Sequence, residues 1–404
     1  MEIQYLTSNQ QHVLIDPAIL VHQVDINQIE IQRSLDKNHQ SEMGQFFTQS
    51  SIAMMMSGMF SNLSPFVNLV DPGAGVGALS AAFVAKALVS PSIPEKIHIT
   101  AFELDPVLVK GLTKTMKECQ QLCEKYGVVF QYEIHQEDFI SASVEVISGR
   151  NSLFPVLQPC YNYAILNPPY RKINTNSRTS RLLRSVNIES TNMYTAFLWL
   201  VMKSITPGSE MVAIVPRSFC NGTYFKSFRQ DLLRTMVIKR IHIFGSRNKA
   251  FKEGNVLQEN IILHAVKGGN GHSKVIISST DNPEDDDLIT QEIDYEQLVQ
   301  PNDYDHFIRI VPDGLGHQIS SQMDVLTSPL EDLGITVSTG RVVDFRSRDL
   351  LRDTPDLEKI PLIYPSNFRG GYIEWPLDNP RKPAYLATTN GVESLLVSSQ
   401  YYVL

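Results

Sequence analysis

"FVNLVDPGAGVGALSAAFVAKAL", Phe66 to Leu88, reads as a buried strand, a glycine turn and a helix. Gly73, Gly75 and Gly77 remove side chains where the backbone must bend sharply and approach a ligand closely. The third glycine comes one residue too early for the dinucleotide G-x-G-x-x-G pattern, and Asp71 occupies the turn, so a dinucleotide dehydrogenase is disfavoured. Working outward, "KIHITAFELDP" alternates like a strand and ends in acids, and "VLVKGLTKTMKECQQLCEKYG" is an amphipathic helix closed by Gly127. "VVFQYEIHQEDF", "YNYAILNPPY", "MVAIVP", "VIKRIHIF" and "ENIILHAVK" supply further strands, with helices between several of them. That alternation predicts an α/β fold: a doubly wound, mostly parallel, Rossmann-like sheet. From about residue 330 the text is strand-like with turns, which predicts a partly β C-terminal region.

Three predicted strand ends carry groups suited to an adenosine moiety. The glycine turn is one. Glu103 ends the next strand, where a carboxylate can accept from both ribose hydroxyls. Asp138 and Phe139 follow the third strand, an acceptor for an adenine amino group beside an apolar face. Each acid alone is an ordinary solvated strand end; three in register point to a nucleoside.

"NPPY" closes the fourth strand, and a parallel sheet holds its ligands at the carboxyl ends of its strands. Two adjacent prolines cannot continue a ladder, and each forces its predecessor into extended geometry. The side-chain oxygen of Asn167 and the backbone oxygen of Pro168 can then point together into the crevice. Two neutral acceptors suit a nitrogen that carries two hydrogens, a primary amine or amide. Tyr170 supplies a face for a planar group, a task that needs no hydroxyl.

The ordered set "GQFFT", "DPGAGVG", "FELDP", "EDF", "NPPY" and "AFKEGNVLQENIIL" resembles the S-adenosylmethionine-dependent amino-group methyltransferases, and more narrowly the gamma-class DNA adenine-N6 methyltransferases of restriction–modification systems. The resemblance runs from about Gly44 to Lys267. It implies that Phe47 and Thr48 touch the methionine end of the cofactor, and that the turn from Asp71 to Gly77 wraps it. It further implies that Glu103 holds the ribose, Asp138 and Phe139 the adenine, and Asn167 and Pro168 the target amine. Tyr170 and Phe251 would sandwich a flipped base. The implied partners are double-stranded DNA and a cognate restriction endonuclease acting on the same site.

The net charge of −8 argues against indiscriminate nucleic-acid binding, but the charges are segregated. Acids gather in "EDDD"; cations gather in "RKINTNSRTSRLLR", "IKRIHIFGSRNK" and "GRVVDFRSRDLLR". Arg171 and Lys172 beside the fourth strand, and Arg341 and Arg346 in the C-terminal region, are the expected phosphate contacts. "RTSRLLR" is as readily a solvated helix face as a phosphate grip.

Four cysteines at irregular spacing make no disulfide framework, and Cys119 and Cys123, a helical turn apart, lack companions for a zinc site, so no metal is expected. His135, His242 and His264 fall in apolar strand patterns and read as core histidines. Ser218 lacks a nucleophile elbow. No signal peptide or membrane-length apolar run is visible, which predicts a cytoplasmic protein.

The predicted organisation is an N-terminal helical arm (1–43), a catalytic domain (44–270), a connecting segment (271–330) and a target-recognition region (331–404). The apolar ending "LLVSSQYYVL" leads us to expect an incomplete recognition region. Two alternative functions are a protein glutamine-amide methyltransferase, which "GQFFT" and the long C-terminal extension oppose, and a non-catalytic DNA-binding subunit, which the full set of site residues opposes. A fused nuclease is disfavoured because 1–40 is too short to form one.

Overall fold

The structure, a computed structural model, describes residues 16–34, 47–149, 161–244, 259–268, 274–281 and 288–311, and shorter runs between 316 and 396. Phe251 and the acidic tract at 284–287 lie outside the described residues. Two compact units divide the chain, Met1–Ile319 and Ser320–Leu404.

The first unit is built on nine strands: β1 (Phe66–Pro72), β2 (Lys96–Phe102), β3 (Val129–His135), β4 (Tyr161–Leu166), β5 (Ile205–Pro216), β6 (Met236–Phe244), β7 (Asn260–Lys267), β8 (Lys274–Thr280) and β9 (Ile289–Asp294). Their order in the sheet is β3-β2-β1-β4-β5-β7-β6-β8-β9. β1 to β5 are mutually parallel, while β7 runs antiparallel between β5 and β6. The helices are α1 (Ala18–Ser34), α2 (Ser50–Ser57), α3 (Ala78–Leu88), α4 (Pro106–Lys125), α5 (Phe139–Ser148), α6 (Arg178–Arg184), α7 (Met193–Ser204) and α8 (Lys226–Thr235).

Strand side chains alternate between two cores, as a sheet covered on both faces requires. Leu69, Tyr163, Ile165, Val212 and Ile214 pack with α1 to α4. Val70, Ala164, Leu166, Met211 and Ala213 pack with α5, α7 and α8. Two helix starts beside the strand ends are set by carboxylates, Asp105 for α4 and Asp138 for α5. Asp105 caps α4, accepting from Val107 N at 2.8 Å, with Pro106 pre-set in the first turn. Gly127, at φ +73°, follows the end of that helix as its pattern predicts.

The segment 271–330 is more than a connector, because β8 and β9 extend the main sheet within it. Val275, Ile277 and Ile293 drive this, each nearly or fully buried against the α8 side. The expected core placement holds for His242 and His264, both buried. It fails for His135, a partly exposed strand end whose ring stacks on Phe102 at 4.8 Å. Cys119 and Cys123 are unpaired and fully buried, and burial pushes the Cys123 thiol up to about 12. No cluster of metal-binding side chains is present among the described residues.

The second unit holds short antiparallel pieces: β10 (Leu351–Arg352), β11 (Lys359–Pro361) and β14 (Tyr385–Ala387) in one sheet, β12 (Phe368–Arg369) and β13 (Tyr372–Ile373) in another. Its strand-like reading is met in these short pieces, which alternate with 3-10 turns and irregular stretches among the described residues.

Candidate active site

The register aligns the ends of the parallel strands. Pro72 lies opposite Phe102, and Phe102 opposite His135. The chain leaving β1 turns over the end of β2, where Gly73 N and Ala74 N both donate to Phe102 O at 2.9 Å. Gly75 takes φ +59°, and a Cβ there would meet nothing within 4 Å; its space opens outward. Gly77 is glycine for a different reason. At φ +89°, a Cβ would lie 2.9 Å from Leu112 Cδ1, so the turn can sit on α4 only without one.

Glu103 ties this turn to the next strand. Its Oε2 accepts from Gly75 N and its Oε1 from Asp105 N, each at 2.9 Å. Burial raises its carboxyl above the ordinary range, and these backbone bonds oppose that. Two carboxylate oxygens offer about four acceptor sites, more than the backbone donors use, so capacity remains for an outside donor. Asp138 caps α5, accepting from Ile140 N and Ser141 N at 3.3 Å and from Ser141 Oγ at 2.7 Å. The cap fixes where its carboxylate stands.

Gly73, Gly75, Glu103, Asp138, Phe139 and Asn167 line one cleft with Phe47. Its floor includes Phe102, Met193 and Phe197, which the sequence reading did not select. Phe139 bridges two of these rings, 5.2 Å from Phe102 and 5.0 Å from Phe197. A polar rim around an aromatic floor is what a nucleoside with an apolar tail requires.

Asn167 stands on the wall of the cleft, just past β4. Its Nδ2 donates to Thr48 Oγ1 at 3.0 Å. Its Oδ1 accepts from the Tyr170 hydroxyl at 2.9 Å. Thr48 is thus a partner of the amide, joining a segment 119 residues away to the cleft. Tyr170 is buried, its hydroxyl also 3.3 Å from Ile214 O and its ring edge-on to Tyr194. Burial drives its phenol pKa upward, so the hydroxyl keeps its proton. Pro168 is buried, while Pro169 and Arg171 line the cleft. Lys172 is exposed and bridged to Asn192. In the second unit, Arg341 reaches Ser394 O and Leu396 O, and Arg346 lies over the Phe345 ring.

Asp71 is fully buried beneath the turn. Ser80 Oγ donates to its Oδ2 at 2.6 Å, while Oδ1 has no hydrogen-bond partner. Burial pushes its carboxyl up to about 7 from an ordinary 3.8, and nearby Glu103 adds to the rise. A folded value above the unfolded one favours the protonated native state. The stabilisation is therefore complete below the lower value and is lost as pH rises through the upper one. The expected slope is roughly 1.4 kcal/mol per pH unit inside that window. Melting of the cofactor-free protein across it should lose this slope in Asp71→Asn; an identical slope in both proteins would assign it to another group.

With this geometry in view, the relatives are informative. A family model described as Eco57I restriction-modification methylase matches residues 108–251. The chain is 38% identical over 371 residues to the type II methyltransferase M.PstI of Providencia stuartii, covering 92% of this chain and 72% of that protein. It is 39% identical over 367 residues to the type II methyltransferase M.BsuBI of Bacillus subtilis, covering 91% and 71%. A solved structure from a type I restriction–modification system shares the fold at TM-score 0.50 and 14% identity, over 78% of this chain and 70% of that one. The chain belongs to the type II restriction–modification methylases, S-adenosylmethionine-dependent DNA methyltransferases. The residues present fit that cofactor: a glycine turn with open space at Gly75, a two-oxygen acceptor at Glu103, an orphaned buried oxygen at Asp71 and aromatic walls.

Proposed function

We propose that this protein methylates the exocyclic N6 amine of adenine at a specific site in double-stranded DNA, as the modification enzyme of a restriction–modification system. The observation that carries the proposal is the clamped amide of Asn167 on the wall of the cleft lined by Glu103 and Asp138. An amide oxygen accepts two hydrogen bonds. The Tyr170 hydroxyl donates to this oxygen, which is assigned to one N–H of the target. The Pro168 carbonyl is assigned the other N–H.

S-adenosylmethionine, when bound, supplies an electrophilic methyl group on a sulfonium. Glu103 is assigned to the ribose, Asp138 and Phe139 to the adenine, and Phe47 and the Asp71–Gly77 turn to the methionine end. The amine of adenine is a weak nucleophile because its lone pair is delocalised into the ring. Accepting both hydrogens holds the lone pair toward the methyl group and stabilises the positive charge that develops on nitrogen. No strong base is required, since the proton leaves after transfer.

A base inside a duplex is out of reach, so it must be flipped out at a cost of a few kcal/mol. Tyr170 and Phe251 are assigned as the walls that receive it, and Arg171, Lys172, Arg341 and Arg346 as phosphate contacts. A cognate endonuclease cutting the same site is the proposed companion, and the cytoplasm the proposed location. Among the described residues no helix is long and apolar enough to cross a membrane.

The test is transfer of labelled methyl to duplex DNA, followed by mass analysis of the nucleosides. N6-methyladenine at one sequence context supports the reading. N4-methylcytosine would keep the enzyme and change its base; label on protein glutamine alone would overturn it.

A further inference from the structure

Immediately after Tyr170 the chain makes an excursion that closes at its own base. Met193 N donates to Arg171 O at 2.9 Å, and Ile173 N to Thr191 O at 2.8 Å. Both Arg171 and Met193 line the cleft, so the base of the excursion is part of its wall. Inside it lies α6, capped by Ser177, whose Oγ accepts from Ser180 N at 3.1 Å. Ser180, Leu183 and Ile188 are buried, and α6 packs on α5. The excursion is a pinned finger, with one side committed to the core.

Its other side is cationic. Arg178, Arg181 and Arg184 are exposed and recur three residues apart, which keeps them on the side of the helix away from Ser180 and Leu183. From Arg171 to Ile188 there is no acid. Among the described residues none of these three arginines forms an ion pair, whereas Lys226, Arg217 and Lys274 in the same unit pair with Asp305, Glu259 and Glu292. In a chain of net charge −8, an acid-free stripe of unpaired guanidinium groups is the complement of a polyanion. Guanidinium suits phosphate because its planar donors can bind two oxygens at once.

We infer that the α6 finger grips backbone phosphates of the DNA strand that carries the target base, beside the nucleotide presented to Asn167. This rests on the DNA reading above. The decisive variant is the triple R178Q/R181Q/R184Q, with cofactor titration as the readout of folding. Each phosphate contact contributes about 0.9 to the slope of log affinity against log salt. Loss of three contacts should flatten that slope by about 2–3.

A control variant, K96Q/K125Q/K203Q, removes the same charge at the amino ends of the strands, where Lys96 opens β2 and Lys125 and Lys203 end α4 and α7. It should leave the slope within about 0.5 of wild type, because those lysines are predicted to make no phosphate contact. The lysine triple R178K/R181K/R184K should restore most of the lost slope, since point charges still release counterions. If the glutamine triple fails to bind cofactor, the single variants R181Q and R184Q serve, each with an expected loss of about 0.9. An unchanged slope in the glutamine variants, an equal loss in the control, or a lysine triple as weak as the glutamine one would overturn the inference. Wild-type protein that leaves duplex DNA unmethylated would sink the DNA reading itself, a different result from methylation that proceeds with the finger neutralised.

Discussion

Asn167→Ala is expected to reduce methyl transfer by at least about 10²–10³-fold, the scale on which loss of one well-placed polar partner acts in a water-excluded site. Cofactor affinity should stay within about twofold of wild type, because most of the contacts assigned to the cofactor (the Asp71–Gly77 turn, Glu103, Asp138 and Phe139) are made by other residues, at the ends of β1 and β2 and the start of α5, and the lost oxygen is the one assigned to the amine. Single-turnover transfer and calorimetric titration separate these effects. The contrast is Glu103→Ala. There Gly75 N and Asp105 N lose a shared acceptor, the glycine turn keeps only its bonds to Phe102 O, and cofactor affinity should fall first. Near-normal turnover in Asn167→Ala would remove the acceptor role. Unchanged cofactor binding in Glu103→Ala would take that carboxylate out of the site.

The parts of this site that were legible in the sequence are those whose chemistry is local. A strand followed by glycines at fixed offsets can be read because backbone conformation, set within a few residues, is what the glycines serve; Gly73, Gly75 and Gly77 all take positive φ. Asn167 was legible because two prolines dictate the geometry before them. Thr48 was marked, but its partner was not, since a contact across 119 residues has no local signature. Phe197 was invisible. It lies in "MYTAFLWLVMKS", a helix apolar all round, where nothing distinguishes the ring that faces a cleft from those that fill the core.

Arg229 shows the same limit for charge. In "SFRQDLLR" it looks like a solvated helix face, yet it is fully buried and donates to the carbonyls of Asp305, Phe219 and Gly222. Only the folded chain could supply three carbonyls to one guanidinium. It thereby fixes the loop after β5 near Ser218, whose hydroxyl meets that of Tyr194 at 3.0 Å.

Tyr170 is where sequence and structure give different expectations for one substitution. Read as a stacking ring, it should tolerate Tyr170→Phe. The structure gives its hydroxyl a task of its own, because that group holds Asn167 Oδ1 and so helps fix which way the amide faces. Losing a buried hydrogen bond of this kind costs about 1–2 kcal/mol, which corresponds to roughly 5- to 30-fold in rate if the cost falls on the transition state. Tyr170→Phe should therefore lower turnover by that factor while leaving base capture intact, as read by 2-aminopurine at the target position, whose fluorescence rises when it leaves the stack. Tyr170→Ala should lose both. It removes the proposed stacking face and opens a cavity beside Tyr194, which frees the amide further. Full turnover in Tyr170→Phe would show that the other contacts of Asn167, Thr48 among them, suffice to orient it. A full fluorescence rise in Tyr170→Ala would show that the flipped base is held by other groups, and the ring would then keep only its part in positioning the amide.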